Sequence, residues 1–319
     1  MRIVFMGTPD FATGILSAIV EEGCHEICAV VTATDKQAGR GMKIQQSSVK
    51  QYALSKNLPI LQPEKLKDIG FVSQLKQLNA DMFVVVAFRM LPEIVWTIPP
   101  KGTCNLHASL LPQYRGAAPI NWAIINGETK TGLTTFFINN EIDKGNIILR
   151  KEVDILPQDT AGSLHDKLLE EGKILMLKTL HDVENDNFVL QQQPDIVEKS
   201  APKIYKEHCL IDWTWTAKQI YDFVRGMSPY PAAHFFYLDD KNEPKMMKVF
   251  ECTYQETPTN INPGIMQSDD KNILSVSCTN GYVFIKNLQL VGKKRMNIND
   301  FLRGNKGFNG KKSTNSNFI

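Results

Sequence analysis

The longest uninterrupted apolar run in this chain, Met82–Phe88, is seven residues. A helix that crosses a bilayer needs about 20, so no membrane span is expected. A short run without alternation reads instead as a strand buried on both faces, from Asp81 to Ala87. Such strands belong to parallel sheets covered by helices on each side. The first half supplies the helices. Arg2–Met6 is a short apolar strand that stops at Gly7-Thr8-Pro9, and Asp10 caps an amphipathic helix to Val20, with Phe11, Ile15, Leu16 and Ile19 on one face. A second strand, Ile27–Thr32, and helices near Ser47–Lys56 and Pro63–Leu78 continue the alternation. The fold class is α/β, with a Rossmann-like, doubly wound N-terminal sheet.

Beyond Cys104-Asn105-Leu106-His107, the pattern predicts a helix near Ala118–Ile125, then two strands, Thr131–Ile138 and Asn146–Val153, that face each other across a loop from Asn139 to Gly145. A helix from Thr160 to Val183 follows, and the stretch to Ser200 has few apolar side chains and reads as a linker. A helix over Ala217–Arg225, ended by Gly226, leads into short strands at Ala233–Leu238, Lys248–Tyr254, Ile273–Cys278 and Tyr282–Leu290. That spacing suggests a smaller C-terminal β-barrel, OB-like in character. The expected division is therefore 1–185, a linker 186–200, and 201–319. With 43% apolar and 22% charged residues, a chain of 319 can bury a core in each part, and disorder is excluded.

Charge is unevenly placed. Up to Ser200 there are 20 basic residues against 23 acidic ones; after it, 16 against 11. From Val291 to Lys312, seven basic residues, Lys293, Lys294 and Arg295 among them, meet Asp300 alone. A polyanion could dock there, although a solvated terminus has the same composition. The six cysteines are scattered without a CxxC pair, which points to reduced, mostly buried thiols and to no zinc site. The N-terminus lacks a signal-peptide cleavage pattern, so a cytoplasmic protein is expected, and separately a monomer.

The first turn offers Gly7 and then Thr8-Pro9-Asp10 where a dinucleotide fold carries GxGxxG, which disfavours a nicotinamide dehydrogenase. Asn105, His107 and Asp143 are the candidate chemical groups. Strand alternation puts Asn105 and His107 on one face, and Asp143 sits on the loop between the two following strands. An amide, an imidazole and a carboxylate without a serine or cysteine nucleophile suit an acyl transfer in which the substrate's own amine attacks. Asn105 would bind the developing oxyanion, His107 would share that task or handle a proton, and Asp143 would orient the imidazole or hold a water. Structural roles for each residue stay open at this level.

The run Asn105-Leu106-His107-Ala108-Ser109-Leu110-Leu111-Pro112-Gln113-Tyr114-Arg115-Gly116, followed in order by Ile142-Asp143-Lys144-Gly145, resembles the signature of the folate-dependent formyltransferases. The opening Ile3–Phe11, the loop Asp35–Gly41, Gly116–Trp122, and Lys203-Ile204 through Ile211-Asp212-Trp213 resemble the branch of that family that acts on initiator tRNA. The resemblance covers essentially the whole chain. It implies formyl transfer from 10-formyltetrahydrofolate to the α-amino group of methionyl-initiator tRNA, for translation initiation, without a metal. It makes Asn105, His107 and Asp143 catalytic. It assigns Ser109, Leu110, Leu111, Pro112, Phe88, Met90 and Leu91 to the folate, with Arg89 departing from the small or apolar residue usual there. It also assigns the loop Ala33–Ser48, with Arg40 and Lys43, and Lys203 and Lys206 to the tRNA, and the basic tail with Lys293, Lys294 and Arg295 is expected to join them in a phosphate-binding surface. The competing expectations are a formyltransferase for a glycinamide nucleotide or an amino sugar, and an RNA-binding module with a degenerate enzyme domain.

Overall fold

The computed structural model describes residues 1–38, 43–194 and 199–314. Contacts divide the chain into two compact units that do not follow chain order: Met1–Gly116, Thr131–Asp154 and His165–Ser200 form the first, and Ala117–Lys130, Ile155–Leu164 and Ala201–Ile319 the second. The expected α/β and β-barrel classes are both present.

The first unit is built on a seven-stranded sheet in the order Ile147–Asp154, Lys130–Phe137, Thr103–His107, Met82–Val86, Arg2–Gly7, Glu26–Val31, Ile60–Leu61. Met82–Val86 lies parallel between Arg2–Gly7 and Thr103–His107, with Ile3 opposite Met82 and Asn105 opposite Val85. All five of its residues are buried, as a strand with helices over both faces requires. On one face Val4, Met6, Phe83 and Val85 pack with Phe71, Val72 and Leu75. Lys130–Phe137 runs antiparallel to Thr103–His107, so the sheet is mixed at that edge.

Three local expectations are corrected. Pro9, not Asp10, is the N-cap of the first helix, which spans Asp10–Glu22; Asp10 places its charge in the first turn instead. The helix expected from Pro63 begins only at Ile69, where the Asp68 side chain accepts the Phe71 N–H at 2.9 Å. Within the loop Ala33–Ser48, Lys36–Ala38 and Lys43–Gln45 pair as a short antiparallel ladder. Gly7 has a packing reason: a Cβ there would fall 2.5 Å from the Ala12 Cβ and 3.0 Å from the Val86 carbonyl.

The second unit is an antiparallel sheet that closes on itself. Its order is Met266–Ser268, Leu274–Cys278, Gly281–Leu290, Pro244–Glu256, Ala233–Leu238, Ser313–Thr314. A bridge between Ile265 and Lys312 joins the two ends. Closure removes the exposed edges an open sheet would leave. Trp213, Phe223, Phe235, Met247, Val249 and Phe301 fill the interior.

The helix Ala217–Met227 does not stop at Gly226. A Cβ at Gly226 would lie 2.5 Å from Ile125 Cγ1 and 3.0 Å from the Asn121 carbonyl, so this glycine lets the helix Pro119–Ile125 approach closely. Buried Arg225 pairs with Asp222 at 2.7 Å and donates to the Asp159 carbonyl at 2.7 Å. These contacts draw 117–130 and 155–164 into the second unit.

Candidate active site

The candidate site lies wholly in the first unit. Asn105 and His107 project from one face of Thr103–His107, where His107 sits opposite Thr134 of the neighbouring strand. The loop after Lys130–Phe137 folds back to bring Asp143 beside the imidazole, with Nδ1 and the carboxylate Oδ2 3.9 Å apart. The structure therefore unites the histidine and the aspartate. Asn105 is half-buried, and its amide makes no side-chain hydrogen bond among the described residues.

His107 is 8% exposed, and its Nε2 is 2.8 Å from the Tyr114 carbonyl. A carbonyl only accepts, so Nε2 carries a proton. Nδ1 is then the one ring atom left to gain or lose a proton, and it faces the carboxylate. That pairing is favourable when the ring is charged. Asp143 Oδ2 also accepts the Gly116 N–H at 3.0 Å.

The chain around these groups is closely fastened. Thr134 Oγ1 donates to the Ser109 carbonyl at 2.7 Å and accepts the Leu111 N–H at 3.1 Å. Ser109 Oγ donates to the Gln113 carbonyl at 2.6 Å. Tyr114 and Asp143 both hold positive φ, 60° and 53°. A side-chain-bearing residue in that region needs its surroundings to keep it there.

Much of that support comes from the stretch expected to be a linker. Tyr114 N–H donates to the Lys199 carbonyl at 2.7 Å, and Lys199 N–H donates to Gln113 Oε1 at 3.0 Å. Gln191 exchanges backbone hydrogen bonds with Ile147, and Gln193 is buried against the Asp143 loop. Nothing in the sequence Gln191-Gln192-Gln193 signals this, because the partners lie about 50 residues earlier.

The residues expected to hold folate divide. Ser109, Leu111 and Leu91 are buried, with Leu111 packed on Phe136 and Ile147; Leu110, Pro112 and Phe88 are half-buried, and Met90 is 69% exposed. Met90 and Leu91 line an open cavity of about 790 Å³ together with Leu66, Lys67, Arg89, Pro92, Glu93 and Ile94. Arg89 donates to the Pro63 and Glu64 carbonyls, the latter at 2.8 Å, and lies over the Phe88 ring.

Of the residues expected to meet tRNA, Lys203, Lys206, Lys293, Lys294 and Arg295 belong to the second unit, and all are exposed. Lys293 and Lys294 make no ion pair among the described residues, whereas Arg295 lies 4.4 Å from the centre of the Phe250 ring and Lys203 5.1 Å from that of Tyr205. Arg40 lies outside the described residues, and Lys43 begins a short strand. Five of the six cysteines are buried and Cys24 is exposed. Burial pushes the Cys104 thiol up to about 12. Among the described residues, no group of three His, Cys, Asp or Glu could hold a metal ion, and no helix is long and apolar enough to cross a membrane.

Two family profiles match in order: formyl transferase over residues 1–180, and formyl transferase, C-terminal domain, over 203–306. The chain belongs to the formyl transferase family. Curated relatives include the methionyl-tRNA formyltransferase of Flavobacterium johnsoniae, 51% identical over 95% of this chain and 96% of that one. That of Bacteroides thetaiotaomicron is 50% identical over 95% of both. Among solved structures, an N-formyltransferase from Helicobacter canadensis in complex with folinic acid and dTDP-3-aminofucose aligns with a TM-score of 0.63 at 20% identity, covering 93% of this formyl transferase and all of its own chain. Glycinamide ribonucleotide transformylase 1 from Symbiobacterium toebii aligns with a TM-score of 0.52 at 18% identity, over 61% and 94%. At those identities the likeness is one of fold.

Proposed function

We propose that this formyl transferase moves the formyl group of 10-formyltetrahydrofolate to the α-amino group of methionyl-initiator tRNA, for translation initiation in the cytoplasm. The observation that carries the reading is the near-50% identity, along almost the whole chain, to methionyl-tRNA formyltransferases. The geometry of Asn105, His107 and Asp143 supplies a mechanism.

The amine of the methionyl ester attacks the formyl carbon, and negative charge gathers on the formyl oxygen. The unspent Asn105 amide donates to that oxygen, and the positive charge of the protonated His107 ring shares in offsetting it. The charged ring is held between the Tyr114 carbonyl, 2.8 Å from Nε2, and the Asp143 carboxylate. The carbon–N10 bond then breaks, the amine gives up one proton, and N10 gains one. Since Nε2 is committed, proton exchange at the ring runs through Nδ1. Phe88, Met90, Leu91 and Ser109–Pro112 form the folate side of the site.

The second unit acts as the tRNA-binding part of a monomer, through Lys203, Lys206, Lys293, Lys294 and Arg295. Arg40 and Lys43 complete the contact from the first half by their place in the sequence. Exposed lysines such as Lys293 and Lys294, with no ion pair among the described residues, suit phosphates, which attract them without a fixed geometry.

The test is formyl transfer by the purified protein, with methionyl-initiator tRNA, a glycinamide nucleotide and a nucleotide-linked amino sugar as parallel acceptors. Transfer to the tRNA alone is expected. Transfer to either small acceptor in its place would overturn the reading.

A further inference from the structure

Asp143 is the one member of the site on a loop rather than on a strand, and it holds a left-handed φ of 53° that a side-chain-bearing residue adopts rarely. Something must keep it there. Its carbonyl accepts the Arg115 Nε–H at 3.1 Å and the Gln193 Nε2–H at 2.9 Å, and Gln193 Nε2 also donates to the Gly145 carbonyl at 2.8 Å. The other end of the same amide, Gln193 Oε1, accepts from Arg115 Nε at 3.2 Å and from Nη2 at 2.7 Å. Arg115 is the neighbour of Gly116, whose N–H holds the Asp143 carboxylate.

We infer that Gln193 is a positioning residue for formyl transfer: its amide joins the Arg115 side of the site to the Asp143–Gly145 turn and so sets the approach of the Asp143 carboxylate to His107. This rests on the proposed role of Asp143. The position asks for two N–H donors aimed at two carbonyls and one oxygen aimed at a guanidinium, in a place only 7% exposed. Only a side-chain amide provides both at once. Leucine or methionine would take this donor from the Gly145 carbonyl and leave the Asp143 carbonyl with the Arg115 Nε–H alone, and glutamate would turn oxygens toward both. Freed of this bond, the turn can relax to negative φ, which swings the carboxylate off its 3.9 Å approach to the imidazole. A displacement of about 1 Å in a catalytic group is enough for a large loss of rate, on the order of 100-fold.

The experiment is a double-mutant cycle on kcat, with the KM values for tRNA and folate recorded for each variant. Gln193→Met is expected to lower kcat by roughly 10- to 100-fold with both KM values within about twofold of the parent. Gln193→Glu, which keeps an acceptor for Arg115 and loses both donors, should fall equally far. In an Asp143→Ala background, Gln193→Met should cost less than about twofold, because the residue acts through the group already removed. Wild-type kcat in Gln193→Met, or a full loss persisting in the Asp143→Ala background, would overturn the inference. Unchanged kcat in Asp143→Ala alone would instead overturn the proposed role of Asp143, so the two failures are distinguishable.

Discussion

The candidate-site loops of the first unit and the basic surface of the second are held in opposite ways. His107 is buried and bonded at Nε2, and Asp143 is fixed through both backbone and carboxylate. Lys293 and Lys294 stand exposed with no ion pair among the described residues. The difference fits the tasks proposed for them. Transition-state charge must be met by groups already in place, because reorganising them during the reaction costs rate. Phosphate charge is met by counterion release, which tolerates mobile side chains.

The comparison breaks first at the imidazole. His107→Ala should lower kcat by about two orders of magnitude or more while leaving tRNA affinity within about twofold in a filter-binding titration. A large loss of affinity in that variant would mean that the site and the tRNA surface are not separable. The next largest effect lies in the packing of the second unit. Gly226→Ala should destabilise it by about 1 to 3 kcal/mol in urea unfolding, since the added methyl meets Ile125 and the Asn121 carbonyl. Helix propensity alone predicts the reverse, a gain of about 1 kcal/mol, so the sign decides between local preference and packing.

On the basic surface, Lys293→Ala with Lys294→Ala should raise the Kd for tRNA by about 3- to 10-fold. It should also flatten the dependence of log K on log salt by about 1 to 2, with kcat at saturating tRNA unchanged. The smallest effect concerns His234, buried in the barrel wall opposite Lys248, where burial first and the Lys248 charge second hold its pKa below the usual value. The unfolded chain takes up this proton before the folded one does. The histidine therefore contributes full stability above the unfolded pKa, and that contribution shrinks as pH falls below about 6.5. His234→Gln should flatten the acid side of the thermal-midpoint curve. An identical curve would assign the acid sensitivity to other groups.

Legibility in the sequence followed the range of the cause. Met82–Val86 announced itself because both of its faces are covered, and Asn105 and His107 could be paired because strand alternation is a local rule. Gly226 misled, since the local code for a helix end was overridden by a helix about 100 residues earlier that needs the space. Gln193 was invisible: its importance comes from three carbonyl and guanidinium groups elsewhere in the chain, and a glutamine in a polar stretch carries no mark of burial. The site was therefore readable where chemistry sits on regular structure, and unreadable where loops are tied by distant partners.

The most direct test of the division between fixed chemistry and mobile attraction is the single-turnover rate of formyl transfer from saturating folate to pre-bound methionyl-initiator tRNA, measured from about 50 mM to about 200 mM salt. The account predicts a rate within the complex that stays constant while the Kd for tRNA rises steeply. A single-turnover rate that falls in step with affinity would contradict it, because the basic surface would then be part of the chemical step.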